Sequence, residues 1–299
     1  MISPKQIRIL VTGAKGQVGT HLSDQLPLAF PAANILFCDR TSLNLLDTQK
    51  LRKTVEEFAP HIIINAAAYT SVDKAESEQD MAYVVNAEVP KILAEISEKN
   101  NSLLVHYSTD YVFDGIKEGF YKENDKTNPL NVYGNTKREG EVNIISTGGN
   151  FLILRTSWVY ADKGHNFLLT ILRLAQERKE LSIVNDQHGS PTSAPWLAAV
   201  TVNLSKKFMS EEPIESGIYH AVAQGETTWF DYARFIVEKA GIKGVNVIPT
   251  SSDTLDFKAK RPKNSCLSTE KLQKNFAIVP IMWEQDVERS IDLWLKNRQ

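Results

Sequence analysis

Tyr133 and Lys137 are four residues apart in the run Tyr133-Gly-Asn-Thr-Lys137. On a helix, positions i and i+4 share one face, so a phenol and an ammonium at this spacing reach a common cleft. A free tyrosine titrates at about 10, too high for rapid proton exchange at neutral pH, and a neighbouring ammonium favours the phenolate. The pair is therefore expected to act in proton transfer, with Lys137 lowering the Tyr133 pKa. The spacing alone is common by chance. Its weight comes from Ser108-Thr-Asp-Tyr-Val-Phe113, which directly follows an apolar run. A hydroxyl at the carboxyl end of a strand can hydrogen-bond a substrate carbonyl and steer the tyrosine proton to it. Thr109 is expected in that role, with Ser108 as the alternative. Asn86 either holds a water or backbone group in a proton relay or packs a helix.

A second constellation lies near the N-terminus. Thr12-Gly-Ala-Lys-Gly-Gln-Val-Gly19 places Gly13, Gly16 and Gly19 between an apolar run and a helical stretch. Glycines there permit a tight turn, close approach of backbone to a pyrophosphate and tight helix–strand packing. The helix start offers free amides and a partial positive charge to phosphate. Asp39 follows the second apolar run and can accept hydrogen bonds from ribose hydroxyls, which favours NAD; Arg40 beside it can instead engage a 2′-phosphate. A solvated turn pair is the plain alternative, and the choice between NADH and NADPH stays open. Ala66, Ala67 and Ala68 close the third run with small side chains, suited to a ligand or simply to tight packing.

The elements that must carry these residues follow from periodicity. Ile7–Val11, Ile35–Cys38, Ile62–Asn65, Leu103–Tyr107 and Phe151–Arg155 read as buried strands, separated by helical stretches. Such alternation predicts an α/β fold, a doubly wound parallel sheet of the Rossmann type, whose ligands bind at the carboxyl ends of the strands. Beyond Trp158 the regular alternation stops. We expect residues 1–165 to form the dinucleotide-binding domain, with 188–222 contributing to it. Residues 166–187 and 223–285 are expected to form a smaller interleaved substrate lobe, and 286–299 a closing helix. The polar loop from Gly115 to Asn131 is a candidate lid.

Composition narrows the function classes. Among 299 residues, 42% are hydrophobic and 23% charged, with a net charge of −2, so a sizeable core is expected without electrostatic attraction to nucleic acid or membrane. Two cysteines, Cys38 and Cys266, are too few for a disulfide framework and are expected to be inert small hydrophobes. No secretion signal and no membrane span is read, so a cytoplasmic enzyme is expected.

Taken together these residues resemble the extended short-chain dehydrogenase/reductase superfamily, and within it the dTDP-4-dehydrorhamnose reductase family. The resemblance runs along almost the whole chain. It includes Gly16-Gln-Val-Gly19, Asn65-Ala-Ala-Ala-Tyr-Thr-Ser-Val-Asp-Lys-Ala-Glu-Ser77 and His106-Tyr-Ser-Thr-Asp-Tyr-Val-Phe-Asp-Gly115. It continues in Pro129–Lys137, Arg155-Thr-Ser-Trp-Val-Tyr160, Asn185–Thr192 and Arg261–Ser265. The glycines and the Tyr–Lys spacing specify only the superfamily; the STDYVFDG and RTSWVY segments are more specific. The resemblance implies reduction of the C4 ketone of a dTDP-linked 4-keto sugar by NADH or NADPH. Tyr133 would donate the proton, Lys137 hold the nicotinamide ribose and Thr109 bind the carbonyl oxygen. Gln17, Val18, Ala68, Tyr69 and Thr70 would line the cofactor site, with Asn44 and Leu45 near the adenine. Thr109, Asp110 and Trp158 would contact the sugar, and Arg261 is a candidate clamp on the diphosphate.

The chain departs from the family pattern in two places. Asn44 stands where relatives often carry an acid. His21 and Pro195 stand where some relatives use acidic residues to bridge a dimer through Mg²⁺, so that metal site is expected to be absent, and monomer or homodimer both stay open. The alternatives are a sugar-nucleotide epimerase or dehydratase, and a non-catalytic regulatory subunit resembling that of methionine adenosyltransferase. His106 is expected to be a packed core histidine, and His188 a surface or nucleotide-facing loop residue.

Overall fold

The structure is a computed structural model that describes residues 7–210 and 212–296. The first half alternates as the apolar runs require. It comprises β1 (Arg8–Thr12), α1 (Gln17–Ala29), β2 (Asn34–Cys38), α2 (Thr48–Phe58), β3 (Ile62–Asn65), the short α3 (Val72–Ala75) and α4 (Gln79–Tyr83). A π-helical turn at Val84–Glu88 carries α4 into α5 (Val89–Lys99), followed by β4 (Leu103–Thr109), α6 (Val132–Thr147) and β5 (Asn150–Thr156). The second half continues with β6 (Val159–Tyr160), α7 (Phe167–Glu177), β7 (Glu180–Val184), β8 (His188–Gly189), β9 (Thr192–Ser193) and α8 (Ala194–Met209). It closes with β10 (Gly217–His220), β11 (Thr227–Thr228), α9 (Trp229–Lys239), β12 (Asn246–Thr250), α10 (Glu270–Phe276) and α11 (Trp283–Lys296).

Six strands form one parallel sheet in the order β2-β1-β3-β4-β5-β10. The chain leaves β1 to one side for β2 and returns on the other for β3. The carboxyl ends of β1 and β3 therefore border a crevice at the point where strand order reverses. Every residue of β3 and β4 is buried, as a strand covered on both faces must be. On one face Leu22 and Leu26 of α1 and Leu197 and Leu204 of α8 cover the sheet. On the other, Leu51 and Val55 of α2, Ile92 and Leu93 of α5 and Ile144 of α6 do so.

A second core joins the parallel pair β7–β12 to α7, α9 and α11 through Leu168, Leu172, Tyr232, Ile236, Val287 and Ile291. The sequence boundaries differ from this packing in two respects. Helix α11, read as a separate closing element, buries Val287 and Ile291 in this second core. Helix α10, read as part of the substrate lobe, instead puts Leu272 into the core of the large sheet, with Phe276 against Tyr219 of the edge strand β10. An edge strand needs cover, and these two side chains supply it.

The loop expected as a lid is fastened rather than hinged. Tyr121 stacks on Phe113 at 4.1 Å, and its backbone exchanges hydrogen bonds with Cys266 and Ser268. Asn264 donates to the carbonyls of Lys117 and Gly119, and Glu123 accepts from the amide of His220. A buried aromatic anchor with bonds at both ends makes this segment a fixed wall.

One buried ion pair ties the site-bearing elements together. Arg155 on β5 donates to both carboxylate oxygens of Glu141 on α6, at 2.8 and 2.7 Å, and Ser108 on β4 donates to Glu141 at 2.5 Å. Removing one partner of such a pair leaves an uncompensated buried charge. Glu141→Ala should destabilise the fold by about 3–5 kcal/mol, and Glu141→Gln by less. Urea unfolding measures both, and a loss below about 1 kcal/mol for the alanine variant would show the pair to be dispensable.

Candidate active site

The crevice is built first by the glycine turn. Gly13 has φ +69°, and a Cβ there would lie 2.6 Å from the backbone nitrogen of Ala67. A Cβ on Gly19 would lie 2.1 Å from the Gly13 carbonyl oxygen. These two glycines are forced by the approach of β1, β3 and α1. Gly16 is not crowded in this way, since its Cβ would stand 3.1 Å from the nearest atom. Gly16 is instead the N-cap of α1, and it brings no side-chain acceptor to the first turn. Helices α2, α6, α7, α8 and α9 each begin under an Asp, Asn, Ser or Thr cap. The start of α1 thus keeps its first-turn amides for an anion. Gln17 anchors there by donating to the Val159 carbonyl at 3.3 Å, while its Oε1 is buried with no hydrogen-bond partner. Val18 packs against the sheet core. An uncapped helix start and a glycine cradle fit the diphosphate of a dinucleotide.

Asp39 and Arg40 close the same crevice beyond β2. Asp39 pairs with Lys15 at 2.5 Å and accepts from Thr41 Oγ1 at 2.6 Å and from the amides of Thr41 and Ser42. The lysine bond, then the Thr41 and Ser42 bonds, hold the carboxyl far below the usual carboxylate range. Arg40 is exposed. Two cations therefore flank one neutralised carboxylate, and sequence reasoning missed Lys15. Its position inside the glycine turn was the available signal. Asn44 is exposed and bonded to the Leu46 amide, and Leu45 packs at the edge of the second core layer.

Ala66, Ala67 and Ala68 follow β3, with Ala66 and Ala67 pressed against Gly13. The next turn is held by Asn86, which accepts from the Tyr69 amide at 2.8 Å, donates to its carbonyl at 3.1 Å and donates to Thr136 Oγ1 at 3.2 Å. With all its polar atoms engaged, Asn86 is a bracket between this loop and α6. Tyr69 is buried with its hydroxyl on Glu78, and Thr70 is exposed.

The residues expected to transfer the proton lie around the carboxyl end of β4. Tyr133 packs edge-on against Tyr111 at 5.7 Å, two residues past Thr109, and Thr109 donates to Asp110 at 2.9 Å. Ser108 is turned away onto Glu141, which leaves Thr109 as the hydroxyl in the cleft. Lys137 is buried on the same helix face, where its Nζ donates to the Tyr107 carbonyl at 2.5 Å and lies 3.2 Å from His106 Nε2. The expectation that Lys137 lowers the tyrosine pKa is corrected here. Burial pushes Tyr133 up to about 12, and the Asp110 charge adds to the rise. The physical reason is that the amine is directed at the backbone of β4 and is itself lowered to about 8 by burial. Burial also raises Asp110 to about 6.

Trp158 is half-buried with φ +47°, a left-handed backbone that a bulky residue keeps only when its surroundings hold it. Trp229 stacks on its ring at 3.6 Å and 10°, and Gly189 leaves room for the indole, since a Cβ there would approach it to 2.5 Å. Sequence reasoning missed Trp229, which had no local motif. Arg261, expected as a diphosphate clamp, is instead fixed bidentately on Asp73 at 2.6 and 3.3 Å and lies over the Phe257 ring. The nearby carboxylate satisfies the fork that a phosphate would otherwise occupy. His188 is exposed in the β8–β11 pair, with its backbone on Lys263 and Ser265. His21 pairs with Asp162 at 3.3 Å, and the Pro195 carbonyl accepts from Gln25. Among the described residues, no helix is long and apolar enough to cross a membrane.

Comparison with known proteins gives one answer. The RmlD substrate binding domain family model matches residues 7–295. A dTDP-4-dehydrorhamnose reductase of Salmonella typhimurium is 42% identical over 296 residues, covering 95% of this chain and 97% of that protein. The crystal structure of a dTDP-4-dehydrorhamnose reductase from Clostridium acetobutylicum matches with a TM-score of 0.90 at 35% identity, covering 97% of this chain and 100% of that one. The corresponding enzyme from Bacillus anthracis, in complex with NADP, matches with a TM-score of 0.89 at 36% identity, over 96% of this chain and 99% of that one.

Removal of the Asp39 carboxylate frees Lys15 to face a 2′-phosphate. Asp39→Ala should raise the ratio of kcat/KM for NADPH over NADH by about tenfold, equivalent to about 1.4 kcal/mol. Titrating both cofactors against the variant measures this, and an unchanged ratio removes Asp39 from cofactor discrimination.

Proposed function

We infer the activity from one premise: the chain belongs to the RmlD substrate binding domain family. It reduces the C4 ketone of dTDP-4-dehydro-L-rhamnose to dTDP-L-rhamnose with NAD(P)H, a step that makes a polysaccharide precursor. The observation that carries this reading is the packing of Tyr133, in the first turn of α6, against Tyr111 just past Thr109 at the carboxyl end of β4, in the sheet whose crevice begins at the uncapped start of α1.

NAD(P)H, when bound, supplies the hydride that adds to C4. Gly13, Gly16, Gln17, Val18 and Gly19 would hold its diphosphate, with Lys15, Asp39 and Arg40 at the adenosine ribose. Asn44 and Leu45 would lie towards the adenine, and the Ala66–Thr70 turn along the remainder. Tyr133 donates the phenolic proton to the ketone oxygen. A phenol pushed up to about 12 is fully protonated at neutral pH, which is the state a proton donor needs. Thr109 turns its single hydroxyl proton from Asp110 to the same carbonyl oxygen and orients it. Lys137, on the same helix face, would hold the nicotinamide ribose when the cofactor is bound. Asp110 accepts a sugar hydroxyl, and Trp158 stacks on an apolar sugar face. Every group named comes from one chain, so monomer and homodimer serve this scheme equally.

An intact Thr109, Tyr133 and Lys137 separates this reading from a non-catalytic regulatory subunit, and net consumption of reduced cofactor separates it from an epimerase or dehydratase. Following the absorbance of NADPH and NADH with dTDP-4-dehydrorhamnose should show stoichiometric oxidation. Tyr133→Phe should bind cofactor normally while losing about two orders of magnitude or more in turnover. Near-normal turnover of the phenylalanine variant would remove Tyr133 as the acid, and no oxidation by the wild type would reject the reduction.

A further inference from the structure

His106 lies inside a file of four side chains that crosses the centre of the sheet. Thr12 Oγ1 on β1 donates to Asn65 Oδ1 on β3 at 2.6 Å, and Asn65 Nδ2 lies 3.0 Å from His106 Nδ1. His106 Nε2 on β4 lies 3.2 Å from Lys137 Nζ on α6. Thr12, Asn65 and His106 are 0% exposed and Lys137 is 1% exposed. At these positions each donor must face an acceptor, because an unmatched buried polar atom is costly.

The imidazole is neutral, since burial and then the Lys137 charge hold its pKa well below the ordinary histidine value. It therefore carries one proton on one of two nitrogens. When Lys137 is charged, its ammonium has only protons to offer. Nε2 must accept, Nδ1 carries the proton, Asn65 turns its amide oxygen to Nδ1, and the Asn65 amine donates to Thr12. When Lys137 is neutral, its lone pair accepts from Nε2–H, Nδ1 accepts from Asn65, and Asn65 Oδ1 accepts from Thr12. The two arrangements differ by one proton, lost from the lysine, and the imidazole holds one proton in both. A phenylalanine or leucine at position 106 would fill the space but satisfy neither.

We propose that His106, backed by Asn65 and Thr12, is a positioning residue for the reduction: it holds the Lys137 amine beside the cleft and exchanges tautomers so that both charge states of the lysine are matched. This rests on the reading of Tyr133 and Lys137 as the proton-transfer pair. The other titratable groups around the lysine are few. Glu141, one turn further along α6, favours the charged amine and is itself neutralised by Arg155. Tyr133 lies one turn earlier and feels the Asp110 charge. Glu76 bonds the first-turn amide of Val132 and Glu78 bonds Tyr69, while Asn86, from the π-turn packed on α6, is uncharged.

Long-range ¹H–¹⁵N spectra of the full-length, ¹⁵N-histidine-labelled protein read the tautomer directly, with His106 assigned by its loss in His106→Gln. Across pH 6 to 10, about the range in which a lowered lysine titrates, His106 should stay neutral and pass from the Nδ1–H to the Nε2–H form. The midpoint is expected at about 8, the value to which burial lowers Lys137. In Lys137→Met the passage should vanish. A single tautomer throughout, or a passage unchanged in Lys137→Met, overturns the proposal. In kinetics, His106→Leu should lower kcat by about tenfold or more and displace its pH profile with the sugar KM unchanged, whereas His106→Gln, which keeps a donor and an acceptor, should recover most of the loss. Equal losses in both variants would mark His106 as packing alone. If the leucine variant fails to fold, the spectra of the wild type and Lys137→Met still decide. A wild type that shows the tautomer passage without reducing the sugar refutes the activity reading and leaves the file intact.

Discussion

The site depends on an amine enclosed where α6 crosses the carboxyl half of β4. Lys137 is almost fully buried, and a buried ammonium is tolerated only with acceptors around it. The Tyr107 carbonyl and His106 Nε2 meet that need from β4. Because these acceptors belong to the central sheet, they fix the rotation of α6. One helical turn earlier, that rotation delivers Tyr133 to Tyr111, just past Thr109. The Glu141–Arg155 pair secures the same helix one turn later, with Ser108 as a third partner. Two successive turns of α6 are thus pinned to β4 and β5 by buried polar contacts. The half-buried Tyr133 ends that row.

Burial then sets the charges. It raises Tyr133 and Asp110 and lowers Lys137, so each group moves toward its neutral form. For a reduction this suits the phenol, which must arrive carrying its proton. An enzyme that abstracted a proton from its substrate would need the opposite shift. The site lies at the end of the sheet where β1 and β3 diverge. There the uncapped first turn of α1 offers free amides to a phosphate-bearing cofactor.

Much of this was legible in the sequence. Continuous apolar runs such as Ile62-Ile-Ile-Asn65 can only be strands covered on both faces, and glycines at 13, 16 and 19 between strand and helix place the crevice. The Tyr133–Lys137 spacing and the Thr109 hydroxyl were readable because each is local. What the sequence left hidden depends on long-range contacts. The direction of the Lys137 amine follows from β4, the Asp39 pairing from a lysine in another turn, and the Arg261 pairing from an aspartate 188 positions away. Trp229 stacks on Trp158 only after the chain returns from the second core, and α10 covers an edge strand that no local period announces. His106 was passed over because a lone histidine in an apolar run reads as packing until its two nitrogens are seen to face Asn65 and Lys137.

The central claim is that this cleft delivers hydride to C4 of the sugar and a phenolic proton to the attached oxygen. Single turnover with cofactor carrying deuterium at nicotinamide C4, followed by NMR of the product, tests it directly. The account predicts deuterium at sugar C4 alone, in one configuration. Deuterium at C3 or C5, in the solvent, or in both configurations at C4 would contradict it.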